Sequence, residues 1–169
     1  MPETEADRQR FRAVMGHFTT GVAVVTAHGD DGAVGMTTNA LCSLSLDPLL
    51  VLVCFDNDAR TLPVVRQSRR FGVNVLRAGQ HHVSGQFASK LPLDRKFAAV
   101  DYRLEHGVPL LQEALAWLAC ELREELPGGD HTIGIGAVLA MDHGEGDPLV
   151  WYRGSYASLN TAPPAGPAR

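Results

Sequence analysis

With 169 residues, 45% hydrophobic and 20% charged side chains, the chain has the composition of one globular domain with a sizeable core, which excludes intrinsic disorder. The formal net charge is −4 and the basic residues are scattered, so a nucleic-acid surface is excluded as well. No apolar run approaches the ~20 residues a membrane helix needs. The opening MPETEADRQR has no apolar segment of the kind a signal peptide carries. Cys42, Cys54 and Cys120 lie far apart among apolar neighbours and form no CxxC pair. They read as small buried thiols in a reducing compartment, and the expected location is the cytoplasm. The expected organisation is a flexible lead-in over 1–8, one domain over 9–159 and a flexible Pro/Ala/Gly-rich tail over 160–169.

In chain order, DRQRFRAVMGHF (7–18) places Phe11, Val14, Met15 and Phe18 at i, i+3, i+4 and i+7, which predicts an amphipathic helix with Asp7 as its cap. TGVAVVTAH (20–28), followed by HGDDGAVG, reads as a strand entering a hairpin. DPLLVLVCF (47–55) is a near-continuous apolar run, as expected of a strand buried on both faces. ARTLPVVRQS (59–68) predicts a short helix with Pro63 in its first turn. FGVNVL (71–76) reads as a strand, and 79–90 as helical near Val83 and Phe87 before a break at LPLD. PLLQEALAWLACELREEL (109–126) favours helix by propensity, although the alternation from Leu115 to Leu122 permits a strand. GGDHTIGIGAVLAM (128–141) is a turn leading into a strand, and PLVWYRGSY (148–156) a last short strand. Many strands with few helices suggest a β-barrel with helical additions. Neither GxGxxG nor GxxxxGK[ST] occurs.

The stretch GMTTNALCSLS (35–45) raises the sharpest question. It sets Thr37, Thr38, Asn39, Ser43 and Ser45 among Met36, Leu41 and Leu44 without a single charge. Buried polar groups need partners. Such a row suits either a satisfied strand end or a ligand with a neutral polar edge. Strand alternation sets Thr37, Asn39, Ser43 and Ser45 on one face. The histidines His81, His82 and His143 have no acidic or cysteine partners at metal spacing, so no metal is expected.

TGVAVVT, GMTTNALCSLSLDPLLVLVCF, FGVNVL, Phe87 followed by RKF (95–97), ALAWLAC, GDHTIGIGAV and PLVWYRGSY occur in one order over Phe11 to Leu159. In that order and spacing they resemble the flavin reductase-like family, the small reductases of two-component flavin-dependent monooxygenases. The resemblance implies a mainly β fold, a split β-barrel with a few flanking helices, with ALAWLACEL a strand and the protein usually a homodimer. It implies an NAD(P)H:flavin oxidoreductase. A hydride passes from NADH or NADPH to FMN or FAD, and the reduced flavin leaves for a monooxygenase partner. The alternatives are a flavin- or haem-binding split barrel without turnover, or a reductase of another substrate through bound flavin.

Position by position, the resemblance assigns flavin contacts to Thr37, Thr38 and Asn39, with Ser43 and Ser45 as their continuation. It assigns a second flavin-lining segment to Cys54, Phe55 and the loop to Thr61, and the phosphate region to Ala88, Ser89, Lys96 and Phe97. His131 holds the family's GDH position against the nicotinamide, with Tyr152, Arg153 and Tyr156 on the same side. Hydride transfer of this kind calls for no protein acid or nucleophile. It needs two rings held at near-attack distance, ~3–3.5 Å, and donors where charge develops.

Overall fold

A computed structural model describes residues 4–159. Helix α1 (Glu5–Met15) opens the chain. The Thr4 hydroxyl accepts from the Asp7 amide, and the Asp7 carboxylate accepts from the Thr4 amide. Asp7 is therefore the far partner of a capping box rather than the cap itself. The helix begins inside the stretch 1–8 expected to be a loose lead-in. The expected tail 160–169 lies outside the described residues.

The elements that follow are β1 (Thr20–Gly21), β2 (Ala23–Gly29), β3 (Gly32–Thr38), β4 (Leu41–Leu46), β5 (Leu49–Asp56), α2 (Thr61–Ser68), β6 (Arg70–Val75) and α3 (His81–Ala88). After them come α4 (Leu93–Phe97), β7 (Tyr102–Glu105), β8 (Val108–Leu111), β9 (Ala116–Gly128), β10 (His131–His143), β11 (Val150–Tyr152) and β12 (Ser155–Ala157). The break expected at LPLD leads directly into α4.

Seven strands form one sheet in the order β3-β2-β6-β9-β10-β5-β4. Its two end strands, β3 and β4, are joined only by Asn39 and Ala40. A two-residue link cannot cross a flat seven-stranded sheet, since strands lie about 4.8 Å apart. The sheet must therefore roll until its ends nearly meet, with the gap between β3 and β4 left unpaired: a split barrel. The Cys54 amide donates to the Ala40 carbonyl and pins the link to β5.

Inside the barrel, Val25, Val53, Phe55, Phe71, Cys120 and Leu122 form the main core, closed at one end by Leu62 and Val65 of α2. Burial pushes the Cys120 thiol up to about 12. A Cβ on Gly134 would meet the Phe55 ring at 2.7 Å. The glycine on β10 is what lets that ring lie flat inside. A second cluster on the outer side joins Val24 and Leu76 to Val83 and Phe87 of α3. Asn74, fully buried, donates to the Val24 carbonyl and the Thr26 hydroxyl and accepts from the Leu111 amide.

Two expectations change. Within 109–126 the structure has the end of β8, a turn over 112–115 and then β9, so ALAWLACEL is strand from Ala116 on, as the resemblance implied and propensity did not. β9 is hydrogen-bonded to β6 on one side and β10 on the other. A central position in a sheet outweighs the few tenths of a kcal/mol per residue that helix propensity commands. Burial on both faces belongs to β2 rather than β5. On β5, Val51, Val53 and Phe55 point inward, while Leu50, Leu52 and Cys54 are half-exposed outside.

Candidate functional site: a groove along the β3 edge

A cleft of ≈ 360 Å³ lies between Gly35–Thr37 of β3, the loop Asp56–Thr61, the end of α3 and Lys96 of α4. A second, ≈ 220 Å³, lies between Thr37–Asn39, Ser84 and Ala88 of α3, Val22, Trp151 and Tyr156. They share Thr37 and Ala88, so they form one groove along the edge that the split barrel leaves unpaired.

One end of the groove is cationic. Lys96 is only 5% exposed, and its Nζ donates to the Phe87 carbonyl (2.7 Å) and the Gly35 carbonyl (3.4 Å). Phe87 lies in the last turn of α3, where carbonyls are unpaired and a cation is favoured. The Arg60 guanidinium donates to the Leu91 carbonyl nearby. Burial first, then the Arg60 charge, holds the Lys96 ammonium below the usual lysine pKa. Among the described residues, no ion pair neutralises either cation. The Asp56 carboxylate turns back to accept from the Asp58 amide (2.8 Å). Helix α2 begins at Thr61 with no side-chain cap. Two cations beside an uncapped helix start suit a phosphate group.

The other end is neutral and already ordered. The Thr37 hydroxyl donates to the Ser84 carbonyl (2.6 Å). The Thr38 hydroxyl accepts from the Ala40 amide, and the Asn39 amide donates to the Thr20 hydroxyl (3.1 Å). Tyr156 reaches in from β12, its hydroxyl donating to the Ser84 hydroxyl (3.0 Å), with Trp151 edge-on at 5.0 Å. A flat ligand with a polar rim fits between such walls: aromatic and aliphatic surface, with fixed uncharged hydrogen-bonding groups.

The groove thus gathers Thr37, Thr38, Asn39, Thr61, Ala88, Ser89, Lys96 and Tyr156. It does not gather Ser43 and Ser45. The break at Asn39–Ala40 carries them onto the opposite sheet end, and a register shift between them interrupts the expected alternation. The Ser45 hydroxyl accepts from the Asp47 amide (3.2 Å). Phe55 has no exposed surface, so its ring belongs to the core and only its backbone remains for a ligand, while the half-buried Phe97 packs on Phe87 at 4.9 Å. Cys54 faces the barrel exterior, on the same face as Cys42. Its thiol is raised by burial and then by Cys42.

His131 opens β10, paired with Asp56 across the ladder, and Asp56 lines the cationic cleft. The His131 side chain lines a different cleft, with Asp130 and with Asp7, Arg8, Phe11 and Arg12 of α1. Its Nδ1 lies 2.7 Å from Asp130, and this contact lowers the Asp130 carboxyl. Tyr152 meets His17 edge-on at 6.3 Å. Arg153 sits in the turn before β12 with φ of 50°, its amide donating to Gly16. Sequence reasoning missed Ser84, Trp151 and Val22 as groove residues. The signal for Ser84 was present in HHVSGQFA, where a small polar residue shares a buried helix face with Val83 and Phe87.

A split barrel with an anion-friendly groove along its open edge defines a nucleotide-binding class of protein. The model of the flavin reductase like domain matches residues 15–160, and the chain belongs to that family. It is 38% identical, over 92% of its length and 84% of the other's, to the reductase subunit HsaB of a flavin-dependent monooxygenase from Mycobacterium tuberculosis. It is 37% identical to an NADH-dependent flavin reductase from Rhodococcus sp, over 93% and 89% of the two chains. Among solved structures it resembles the NADH:FAD oxidoreductase SgcE6 of Streptomyces globisporus, in complex with NAD and FAD fragments. That match has a TM-score of 0.87 at 35% identity and covers 98% and 99% of the two chains.

Proposed function

We propose that this chain is an NADH-dependent flavin reductase, the component of a two-component flavin-dependent monooxygenase that supplies reduced flavin. The observation that carries the reading is the groove itself: neutral, satisfied donors and acceptors at one end and, at the other, two cations that no ion pair among the described residues neutralises, in a chain of this family. When bound, the flavin accepts a hydride from the nicotinamide. The protein's part is to hold and orient. Lys96, Arg60 and the start of α2 would hold the phosphate of FMN or FAD. Thr37, Thr38 and Asn39 would face the ring, as much by backbone as by side chain, with Ala88, Ser89 and Tyr156 along the opposite wall. His131, Tyr152 and Arg153 are assigned to the nicotinamide side. The groove is open along its length, which suits a flavin that must leave.

NADH oxidation by the purified protein, followed with and without FMN or FAD, tests the reading. Turnover that depends on added flavin is expected; none with either flavin would sink it.

A homodimer belongs to the same reading. Phe11, Val14 and Met15 of α1, and Phe18 just beyond its end, are 48–70% exposed, and no residue of the helix is buried. Leu50 and Leu52 leave a second apolar face on the barrel exterior. An amphipathic helix with its apolar stripe in water wants a partner surface. A second copy supplies one. Sedimentation at micromolar concentration should give twice the chain mass, and a monomer would remove the dimer from the proposal. The cytoplasm is the location that fits three free thiols.

A further inference from the structure

Between the cationic loop and the His131 turn stands Asn57, whose hydrogen bonds all run to that turn. Its amide N–H donates to the Asp130 carbonyl (3.1 Å) and its Nδ2 to the Gly129 carbonyl (3.3 Å), while its Oδ1 accepts from the Thr132 hydroxyl (2.7 Å). Gly129, Asp130 and Thr132 bracket His131 on both sides. Thr132 is 7% exposed, and its hydroxyl also accepts from Arg66 (3.2 Å), which is held by Glu125 (2.7 Å). The turn is thus tied through Asn57 and Thr132 to α2, the helix whose start closes the cationic cleft. The β9–β10 ladder closes at the Gly128–His131 pair and β5 pairs His131 with Asp56. Beyond these ladders the Asn57 bonds restrain the tip, where Gly129 has φ of 73° and the Asp130 side chain is exposed. Glycine-rich turns carry the largest conformational freedom to restrict.

We infer that Asn57 is a positioning residue for the nicotinamide substrate: it fixes the turn that presents His131 and couples that turn to the flavin-phosphate loop. The inference rests on the assignment of His131 to the nicotinamide side. Nothing in the hydrogen-bond pattern makes Asn57 a flavin ligand, because its side-chain groups are engaged toward the turn. Thr132 acts as its anchor, giving its proton to Asn57 and its lone pair to Arg66.

The test is a steady-state comparison of Asn57→Ala, His131→Ala, the double variant, Thr132→Val and Thr132→Ser, with flavin binding titrated separately. Asn57→Ala should raise the KM for NADH about three- to tenfold, the scale of one or two lost hydrogen bonds. kcat at saturating NADH and flavin affinity should stay within about twofold of the parent. Thr132→Val should move KM the same way, and Thr132→Ser, which keeps the hydroxyl, should restore it. In the His131→Ala background, Asn57→Ala should add nothing, because it acts through that residue. If His131→Ala raises KM and Asn57→Ala does not, the inference falls while the role of His131 stands. Equal effects of Asn57→Ala in both backgrounds, or a loss of flavin affinity along with KM, would also overturn it. If His131→Ala leaves KM unchanged, the assignment of His131 fails first and takes the inference with it.

Discussion

At the β3 end of the groove, the side chains of Thr37, Thr38 and Asn39 each have a partner inside the protein; at the Lys96 end, two cations share a partly dehydrated space with Asp56 and Asp58 on its wall but with no ion pair to either cation among the described residues. The first arrangement is complete before any ligand arrives and so is rigid. The second carries a cost of burial that an anion relieves. Neutral groups can orient a ring whose charge changes during turnover without titrating themselves. Charged groups give the anchoring affinity, because a charge-assisted bond in a dry site is worth about twice a neutral one.

That contrast is broken most severely by removing the buried cation. Lys96→Met should weaken FMN binding about ten- to a hundredfold, the range for hydrogen bonds to charged groups, while riboflavin, which lacks the phosphate, loses little. Fluorescence titration of the two flavins checks it, and an equal loss for both would mean Lys96 only supports α3. Arg60→Ala, at a more exposed position, should follow the same pattern at about three- to tenfold. The pH dependence comes next. Because Lys96 is held below its ordinary 10.5, it loses its proton earlier than a free lysine. The phosphate-dependent part of FMN affinity should therefore fall as pH rises through that lowered value.

Stability of the free protein should move the opposite way. A lysine with a depressed folded pKa binds fewer protons folded than unfolded, so its contribution is complete above 10.5 and is lost as pH falls through the folded value. Thermal melting across this window, with and without FMN, separates the two trends. The smallest effects belong to the neutral end. Thr37→Val or Asn39→Val should cost both flavins the same two- to fivefold, about one neutral hydrogen bond each. A loss confined to FMN would contradict the division of the groove.

Much of the fold was legible because local signals agreed with the tertiary outcome. The i, i+3, i+4 stripe of α1, which stops at Met15 short of the expected Phe18, the β-branched run of β2 and the Pro63 start of α2 are each read from neighbours a few residues away. The site was legible in part. The uncharged row from Thr37 to Asn39 stands out by composition and Lys96 by the resemblance, and the structure draws both toward one groove. Ser43 and Ser45 looked continuous with that row, but the strand stops at Asn39 and resumes at the other end of the sheet. Phe55 lay in a segment expected to line the ligand, yet alternation on β5 turns its ring inward.

The sequence by itself determined where apolar periodicity, turns and neutral polar groups fall, since these depend on side-chain type and spacing alone. Only the tertiary structure decided that Ala116–Gly128 is a strand, because that choice rests on ladders to β6 and β10 more than forty residues away on one side and directly across a hairpin on the other. It alone decided that β3 and β4, two residues apart in the chain, bound a sheet rolled nearly shut. It alone brought Asn57 to the turn before His131, seventy-odd positions later. Long-range hydrogen bonds carry no local signature, so no window along the chain contains them.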